Sequence, residues 1–284
     1  MNTNTNANRT NILECNNYES VKELIYTHLG ISISEKDQEE FFHKLKPVMS
    51  AYNCKTLDEL FQLLLEDPNN EILGEIANKI TTNYSYFNRE TNHFDFLRSK
   101  VLPELVAELR KKSTFKLSIW SAACSTGEEP YTLGILLREF LGAYYDNWIV
   151  SVLGTDISSK VLKEAKNAIY PLERVEGMPA DLFLKYFDRV DPQTVKVKDE
   201  YKKDVGFRVL NLKHNGYQFR EGFNAVFCRN VFIYFDEKMI DHVAMNVHRC
   251  LDKGGYFFIG VSETLGKRNT NYFEFIAPGI YRKK

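Results

Sequence analysis

Between Tyr18 and Ile80 the apolar residues recur every three or four positions. Val21, Leu24, Ile25 and Leu29 make one stripe, and Phe41, Phe42, Leu45, Val48 and Met49 another. That period predicts amphipathic helices. Thr56, with Glu59 three residues on and Leu57, Leu60, Phe61 and Leu64 behind it, predicts an N-cap with a capping box. Asp67-Pro68 predicts the end of that helix, and Ile72, Leu73, Ile76 and Ile80 mark the next.

Further along, strand and helix patterns alternate. A helix is predicted over 97–110, with Pro103 at a kink or a new start. Strands are predicted at Leu117-Ser-Ile-Trp-Ser-Ala-Ala, at Ile149 to Asp156, at Phe223 to Cys228 and at Gly255 to Val261. Helices are predicted over 130–140, from Ser158 to Ala168 and over 236–251, and a last extended stretch over 273–281. Such alternation implies an α/β domain with a largely parallel sheet. Right-handed crossovers then place the strand C-termini on one edge, where ligands bind. One segment breaks the rhythm: Thr194-Val-Lys-Val-Lys alternates apolar and charged residues, and Val205 to Leu212 partly does. We expect a small antiparallel appendage over about 190–210 with one wet face.

Charge sharpens the division. Residues 18–80 have a net charge of −6 and residues 81–284 one of +5, while the whole 284-residue chain carries −1. The expected organisation is a disordered Asn-rich tail over 1–17, a helical domain over 18–80 and an α/β domain over 81–284. The near-neutral balance argues against a nucleic-acid partner. No apolar run reaches the ~18 residues of a membrane span. Five cysteines without a C-x-x-C pair read as reduced thiols of a cytoplasmic protein.

Four sequences carry candidate chemistry, one of them the polar and aromatic Thr81-Thr-Asn-Tyr-Ser-Tyr-Phe-Asn-Arg-Glu of the inter-domain segment, which a capped linker would match equally. Trp120-Ser-Ala-Ala-Cys-Ser-Thr-Gly-Glu-Glu-Pro runs from a strand through small residues into a helix. Glu128 and Glu129 at that helix start repel a pyrophosphate and suit a cation such as an amino-acid ammonium. A tight strand–helix turn with dipole-favoured acids would look the same. Leu153-Gly-Thr-Asp-Ile-Ser ends the next strand in Asp156, a place where carboxylates take ribose hydroxyls or cap a helix. Val226-Phe-Cys-Arg-Asn-Val-Phe-Ile-Tyr-Phe sets Arg229 and Asn230 at the same edge, either on a ligand or in a structural ion pair. The six scattered histidines and the absence of H-E-x-x-H argue against a metal. Together these features describe a site for a nucleoside bearing an ammonium group. S-adenosylmethionine fits, whereas NAD and ATP do not.

These residues resemble the chemotaxis receptor methyltransferase family, CheR. The matching pieces are T-T-N-Y-S-Y-F-N-R-E, S-A-A-C-S-T-G-E-E-P-Y-T, G-T-D-I-S, F-R-V-L-N-L, F-N-A-V-F-C-R-N-V-F-I-Y-F-D and L-D-K-G-G-Y-F-F-I-G-V-S-E-T. The resemblance implies a Rossmann-like S-adenosylmethionine-dependent methyltransferase sheet with a small β-subdomain, preceded by a helical domain. It implies O-methylation of glutamate side chains on chemoreceptor cytoplasmic helices, with S-adenosylhomocysteine as product. By position, Asn83, Ser85, Arg89, Glu129, Asp156, Asn211, Leu212, Arg229 and Asn230 would line the cofactor site, and Arg89 and Tyr234 would sit nearest the reacting methyl. Ser85 stands where the family usually has Thr. The β-subdomain grips a receptor C-terminal peptide in some members. The family's N-terminal domain often presents a basic helix, whereas here only Lys36, His43, Lys44 and Lys46 cluster there. The protein is expected to act as a monomer. The competing readings are a signalling protein that binds S-adenosylmethionine without turnover, and an amino- or nucleic-acid methyltransferase. The D/N-P-P-Y/F motif of amino methylation is absent.

Overall fold

The computed structural model describes residues 18–34, 38–67, 71–81 and 84–284. The tail expected over 1–17, Pro68 and the candidate Asn83 lie outside the described residues. The chain forms two compact units. One holds the described residues up to Thr81 together with Tyr234–Asp236, and the other holds Tyr84–Ile233 and Glu237–Lys284.

The first unit contains α1 (Tyr18–Leu29), α2 (Gln38–Ala51), α3 (Leu57–Leu65) and α4 (Glu71–Ile80). Their apolar stripes turn inward: Val21, Ile25, Leu45, Leu60 and Ile76 are fully buried. The Thr56 hydroxyl accepts the Glu59 N–H at 3.2 Å, and the Glu59 carboxylate reaches back to the Lys55 N–H. α3 ends at Leu65 with Glu66 as its C-cap, just before Asp67 as predicted. The Asp67 carboxylate takes the N–H groups of Glu71 and Ile72 at 3.0 and 2.8 Å and so opens α4. Of the basic residues expected on this unit, Lys44 is engaged with Glu40 at 2.8 Å and the Ile80 carbonyl at 2.9 Å. His43 and Lys46 are exposed, and Lys36 is outside the described residues. Residues 234–236 complete the unit. Ile31 pairs with Phe235 in an antiparallel bridge, Ser32 donates to the Tyr234 carbonyl at 2.8 Å, and the Tyr26 hydroxyl donates to Asp236 at 2.8 Å.

The second unit opens with α5 (Thr91–Phe96), continues through a wide π turn over Leu97–Val101 and enters α6 (Leu102–Lys111). Pro103 sits in the first turn of α6, where a missing N–H costs nothing, so the chain restarts its helix there. The strands follow as β1 (Lys116–Ala122), β2 (Ile149–Asp156), β3 (Ile169–Pro171), β4 (Phe187–Asp191), β5 (Thr194–Val197), β6 (Val205–Val209), β7 (Phe223–Phe227), β8 (Leu251–Phe258), β9 (Phe273–Ala277) and β10 (Ile280–Lys283). Between them lie α7 (Glu128–Leu141), α8 (Ser159–Asn167), α9 (Ala180–Tyr186) and α10 (Glu237–Cys250).

The main sheet runs β6-β2-β1-β7-β8-β10-β9, with parallel pairing throughout except that β10 lies antiparallel to both β8 and β9. The strand order reverses between β1 and β7, so this α/β sheet has its switch point there. The central strand β7 is buried throughout, and Phe94, Phe227 and Phe258 stack in the core with ring centroids 6.0 and 4.2 Å apart.

The small sheet differs from expectation. It is β3-β5-β4, antiparallel, and spans 169–197 rather than 190–210. Val205–Val209 instead joins the main sheet, parallel to β2. As its edge strand, β6 is half solvated. It therefore shows the same alternation a wet antiparallel ribbon would.

Candidate functional site

The register brings the strand ends level. Ala122 lies beside Thr155, Ser121 beside Phe227, and Phe227 beside Phe258. The turns after β1, β2, β7 and β8 therefore emerge together at the switch point, where an open α/β sheet takes its ligand. The backbone is unusual in these turns and in the turn that precedes α5. Asn88, Glu90, Ala123, Ser125 and Asn230 all have φ between 50° and 61°, and Gly127 has φ 93°. Left-handed conformation costs a non-glycine residue about 1 kcal/mol or more and gathers at functional sites. Here it lets small residues fold the β1–α7 loop tightly: Cys124 donates to the Thr155 carbonyl at 2.9 Å and Gly127 to the Cys124 carbonyl at 3.0 Å. Gly127 is required, because a Cβ there would stand 2.7 Å from Ala165 Cβ.

The two acids at the start of α7 part company. Glu128 is fully buried, paired with Arg174 at 2.7 Å and bonded by the Thr126 hydroxyl. It does not face the edge alongside Glu129, as the sequence reading of two ligand-facing carboxylates expected. Adjacent helical residues point about 100° apart, so only one of the two can turn outward. Glu129 is the half-buried one. It accepts the Ser121 hydroxyl at 2.7 Å and an Arg229 N–H at 3.0 Å.

Arg229 is the hub. Its side chain is 2% exposed, and its guanidinium binds Glu129 at 3.0 Å, Glu90 at 3.0 Å and the Arg89 carbonyl. Asn230 donates through its side chain to Glu90 at 2.9 Å. Glu90 was not foreseen as a site residue, although its motif was. Burial alone would raise its carboxyl. The Asn230 hydrogen bond and the Arg229 charge outweigh that and hold it below the ordinary range. Glu263 is a second unforeseen participant. Its buried carboxylate gathers the backbone N–H groups of Gly260 (2.6 Å), Asn230 (3.1 Å) and Ile233 (3.2 Å), which fixes the turn after β7.

The remaining candidates are placed as follows. Arg89 is half-buried, and one of its N–H groups donates to the Tyr84 carbonyl at 2.9 Å. No carboxylate pairs with it among the described residues. Ser85 lies within the same turn and is half-buried. Asp156 accepts the Ser125 and Ser158 N–H groups at 2.9 and 3.0 Å, while Ser158, not Asp156, is the N-cap of α8. Burial raises the Asp156 carboxyl above its ordinary value, although these backbone bonds oppose the shift. Asn211 and Leu212 follow β6, where Leu210 donates to the Asp156 carbonyl at 2.9 Å, and the Tyr217 hydroxyl holds the Leu212 carbonyl at 2.8 Å. Tyr234 belongs to the first unit through its carbonyl bond to Ser32. Among the described residues no group of His, Cys, Asp and Glu is arranged to hold a metal.

Residues 83–281 match the family model described as CheR methyltransferase, SAM binding domain. The chain belongs to the CheR methyltransferase family. It is 38% identical over 284 residues to the chemotaxis protein methyltransferase of Borreliella burgdorferi, covering 100% of both chains. It is 34% identical over 262 residues to chemotaxis protein methyltransferase 1 of Pseudomonas aeruginosa, covering 90% of this chain and 93% of that one. Among solved structures, a glycopeptide N-methyltransferase complexed with S-adenosylmethionine aligns with TM-score 0.34 and 14% identity over 62% of this chain and 54% of that one. As a CheR methyltransferase, the protein is an S-adenosylmethionine-dependent methyltransferase of chemotaxis. The α/β unit described above is its S-adenosylmethionine-binding domain.

Proposed function

We propose that this methyltransferase esterifies glutamate side chains on the cytoplasmic helices of chemoreceptors. The observation that carries the reading is the contrast between the two arginines at the switch point. Arg229 is spent on Glu129 and Glu90, whereas Arg89 has no carboxylate partner among the described residues and is steadied by the Tyr84 carbonyl. Arg89 is thus the group suited to receive a carboxylate from outside.

The residues at the edge fit S-adenosylmethionine. Ser125 Oγ and Arg229 Nε are buried without a hydrogen-bond partner among the described residues, and the small left-handed loop leaves no Cβ beyond Ala and Ser in the way. When bound, the cofactor would supply a methyl group already activated by its sulfonium. Glu129, fixed by Ser121 and Arg229, would accept its ammonium. Asp156 would accept ribose hydroxyls, and Asn211 and Leu212 would frame the base. Asn83, Ser85 and Asn230 would complete the cofactor's surroundings. A glutamate carboxylate is already ionised at neutral pH, so the site needs no general base. The residues have to orient the carboxylate and exclude water. Arg89 and Tyr234 are proposed for that task. The small sheet, whose edge strand β4 is exposed from Asp188 to Asp191, would hold a receptor C-terminal peptide. Such receptors place the reaction in the cytoplasm, and no helix among the described residues is long and apolar enough to cross a membrane.

The test is incubation of the purified protein with methyl-labelled S-adenosylmethionine and receptor-containing membranes from its own organism. Base-labile label on a receptor band, lost when receptor glutamates become alanine, is the expected result. Cofactor binding by calorimetry without transfer would refute the enzyme reading and leave a binding protein. Base-stable label would refute carboxyl methylation.

A further inference from the structure

The segment between β3 and α9, residues 172–179, touches both turns that build the cofactor edge. Arg174 donates through Nη1 to Glu128 at 2.7 Å and to the Thr126 hydroxyl at 3.0 Å. Its own carbonyl accepts the Phe87 N–H at 2.9 Å. Close by, the Tyr170 hydroxyl donates to the Thr126 carbonyl at 2.8 Å, and Asn88 donates through its side chain to the Gly177 carbonyl at 3.2 Å. One residue therefore holds the β1–α7 loop through its guanidinium and the Phe87–Arg89 turn through its backbone.

The charge at Glu128 shows why this matters. The carboxylate is fully buried on the first turn of α7, and burial raises its carboxyl against the opposing bonds from Thr126 and Arg174. An ionised carboxylate at that depth needs a cation, and Arg174 is the one that pairs with it. Without it Glu128 would either take up a proton or swing toward water. The second course would rotate the start of α7, and with it the neighbouring Glu129, out of line with Arg229. Thr132, whose hydroxyl donates to the Glu128 carbonyl at 2.8 Å and accepts the Asn88 N–H, would carry the same disturbance to the Arg89 turn.

We propose that Arg174 is a positioning residue for the methyltransfer reaction. It orders the Ser125–Glu129 loop by compensating Glu128 from the small-sheet segment, and so sets cofactor affinity without touching the cofactor. The proposal rests on the assignment of Glu129 to the cofactor's ammonium. It also implies that the segment joining the small sheet to the site is energetically coupled to cofactor binding, in both directions.

The experiment is calorimetric titration of the full chain with S-adenosylhomocysteine, which needs no methyl acceptor. Four variants are compared: Arg174→Met, Arg174→Lys, Arg174→Met with Glu128→Gln, and Glu129→Ala. Arg174→Met is expected to bind about tenfold more weakly. Arg174→Lys, which keeps the charge, is expected within about threefold of the parent. The double variant removes the buried charge altogether and keeps the chain foldable if the single variant does not fold. With no buried charge left to compensate, it is expected to bind within about threefold of the parent. With a receptor as acceptor, KM for S-adenosylmethionine is expected to rise while kcat holds. Parental affinity in Arg174→Met, accompanied only by a lower melting temperature, would reduce Arg174 to a structural residue and overturn the proposal, and a double variant still about tenfold weaker than the parent would overturn it too. If Glu129→Ala abolishes binding in that same experiment, the cofactor site stands and only the proposal falls. If Glu129→Ala also binds normally, both fall together.

Discussion

Replacing Arg229 by methionine probes the hub directly. The guanidinium side chain is 2% exposed, and the two carboxylates it serves, Glu129 and Glu90, are 17% and 22% exposed. Breaking a buried pair from one side costs about 3–5 kcal/mol, because the partner charge is left uncompensated. Both carboxylates retain some access to water, so the lower end of that range applies. The expected loss is about 3 kcal/mol, or a fall in melting temperature of about 6–12 °C for a unit of this size. Both tryptophans, Trp120 and Trp148, lie in the second unit, so intrinsic fluorescence during urea unfolding follows that unit alone. The deficit should also depend on pH. Glu90 is held below its ordinary value in the folded state, so its support is present above the unfolded value of about 4.3 and lost as pH falls through the folded one. The gap between parent and variant is therefore expected to narrow on the acid side of about pH 4. A loss under about 1 kcal/mol at pH 7, no more than that of an exposed pair, would refute the view that Arg229 is the hub.

Three further outcomes are expected. Gly127→Ala sets a Cβ 2.7 Å from Ala165 Cβ at φ 93°, and should cost about 2–3 kcal/mol and weaken S-adenosylhomocysteine binding, read by denaturation and calorimetry. The Asp156 carboxyl is raised by burial, so it takes its proton at a higher pH than an exposed aspartate. Cofactor affinity is expected to decline on acidification before ordinary aspartates titrate, and Asp156→Asn should flatten that decline in a calorimetric pH series. Thr56→Ala removes the cap of α3 and should cost about 1 kcal/mol in the first unit, read by circular dichroism, with cofactor affinity unchanged.

The sequence was informative where local chemistry decides structure. Thr56 and Ser158 cap helices as their side chains require, and the small residues after β1 fold the tight turn their size permits. Arg229 and Asn230 stand at a strand end because an apolar run stops just before them. What stayed hidden depends on partners distant in the chain. Glu90 gains its meaning from Arg229, 139 residues away, and Glu263 from backbone N–H groups that exist only once the turns are folded. Whether Glu128 or Glu129 would face inward hinges on Arg174, 46 residues further on. The placement of β6 escaped for another reason. Pattern records which face is wet, not which neighbour pairs with the edge.

The loan of Tyr234–Asp236 to the first unit has a consequence for dissection and for descent. A fragment ending at Thr81 would keep all four helices yet lose the acceptor for the Ser32 N–H, the bridge at Ile31 and the carboxylate that Tyr26 holds. A short synthetic peptide spanning those three residues should therefore sharpen the fragment's unfolding transition. Exchange of helical units between relatives by recombination would likewise have to carry this tripeptide along, although it lies more than 150 residues downstream of Thr81. Any join placed near residue 83 that ignores it would graft a unit missing the partner of its Ile31 bridge.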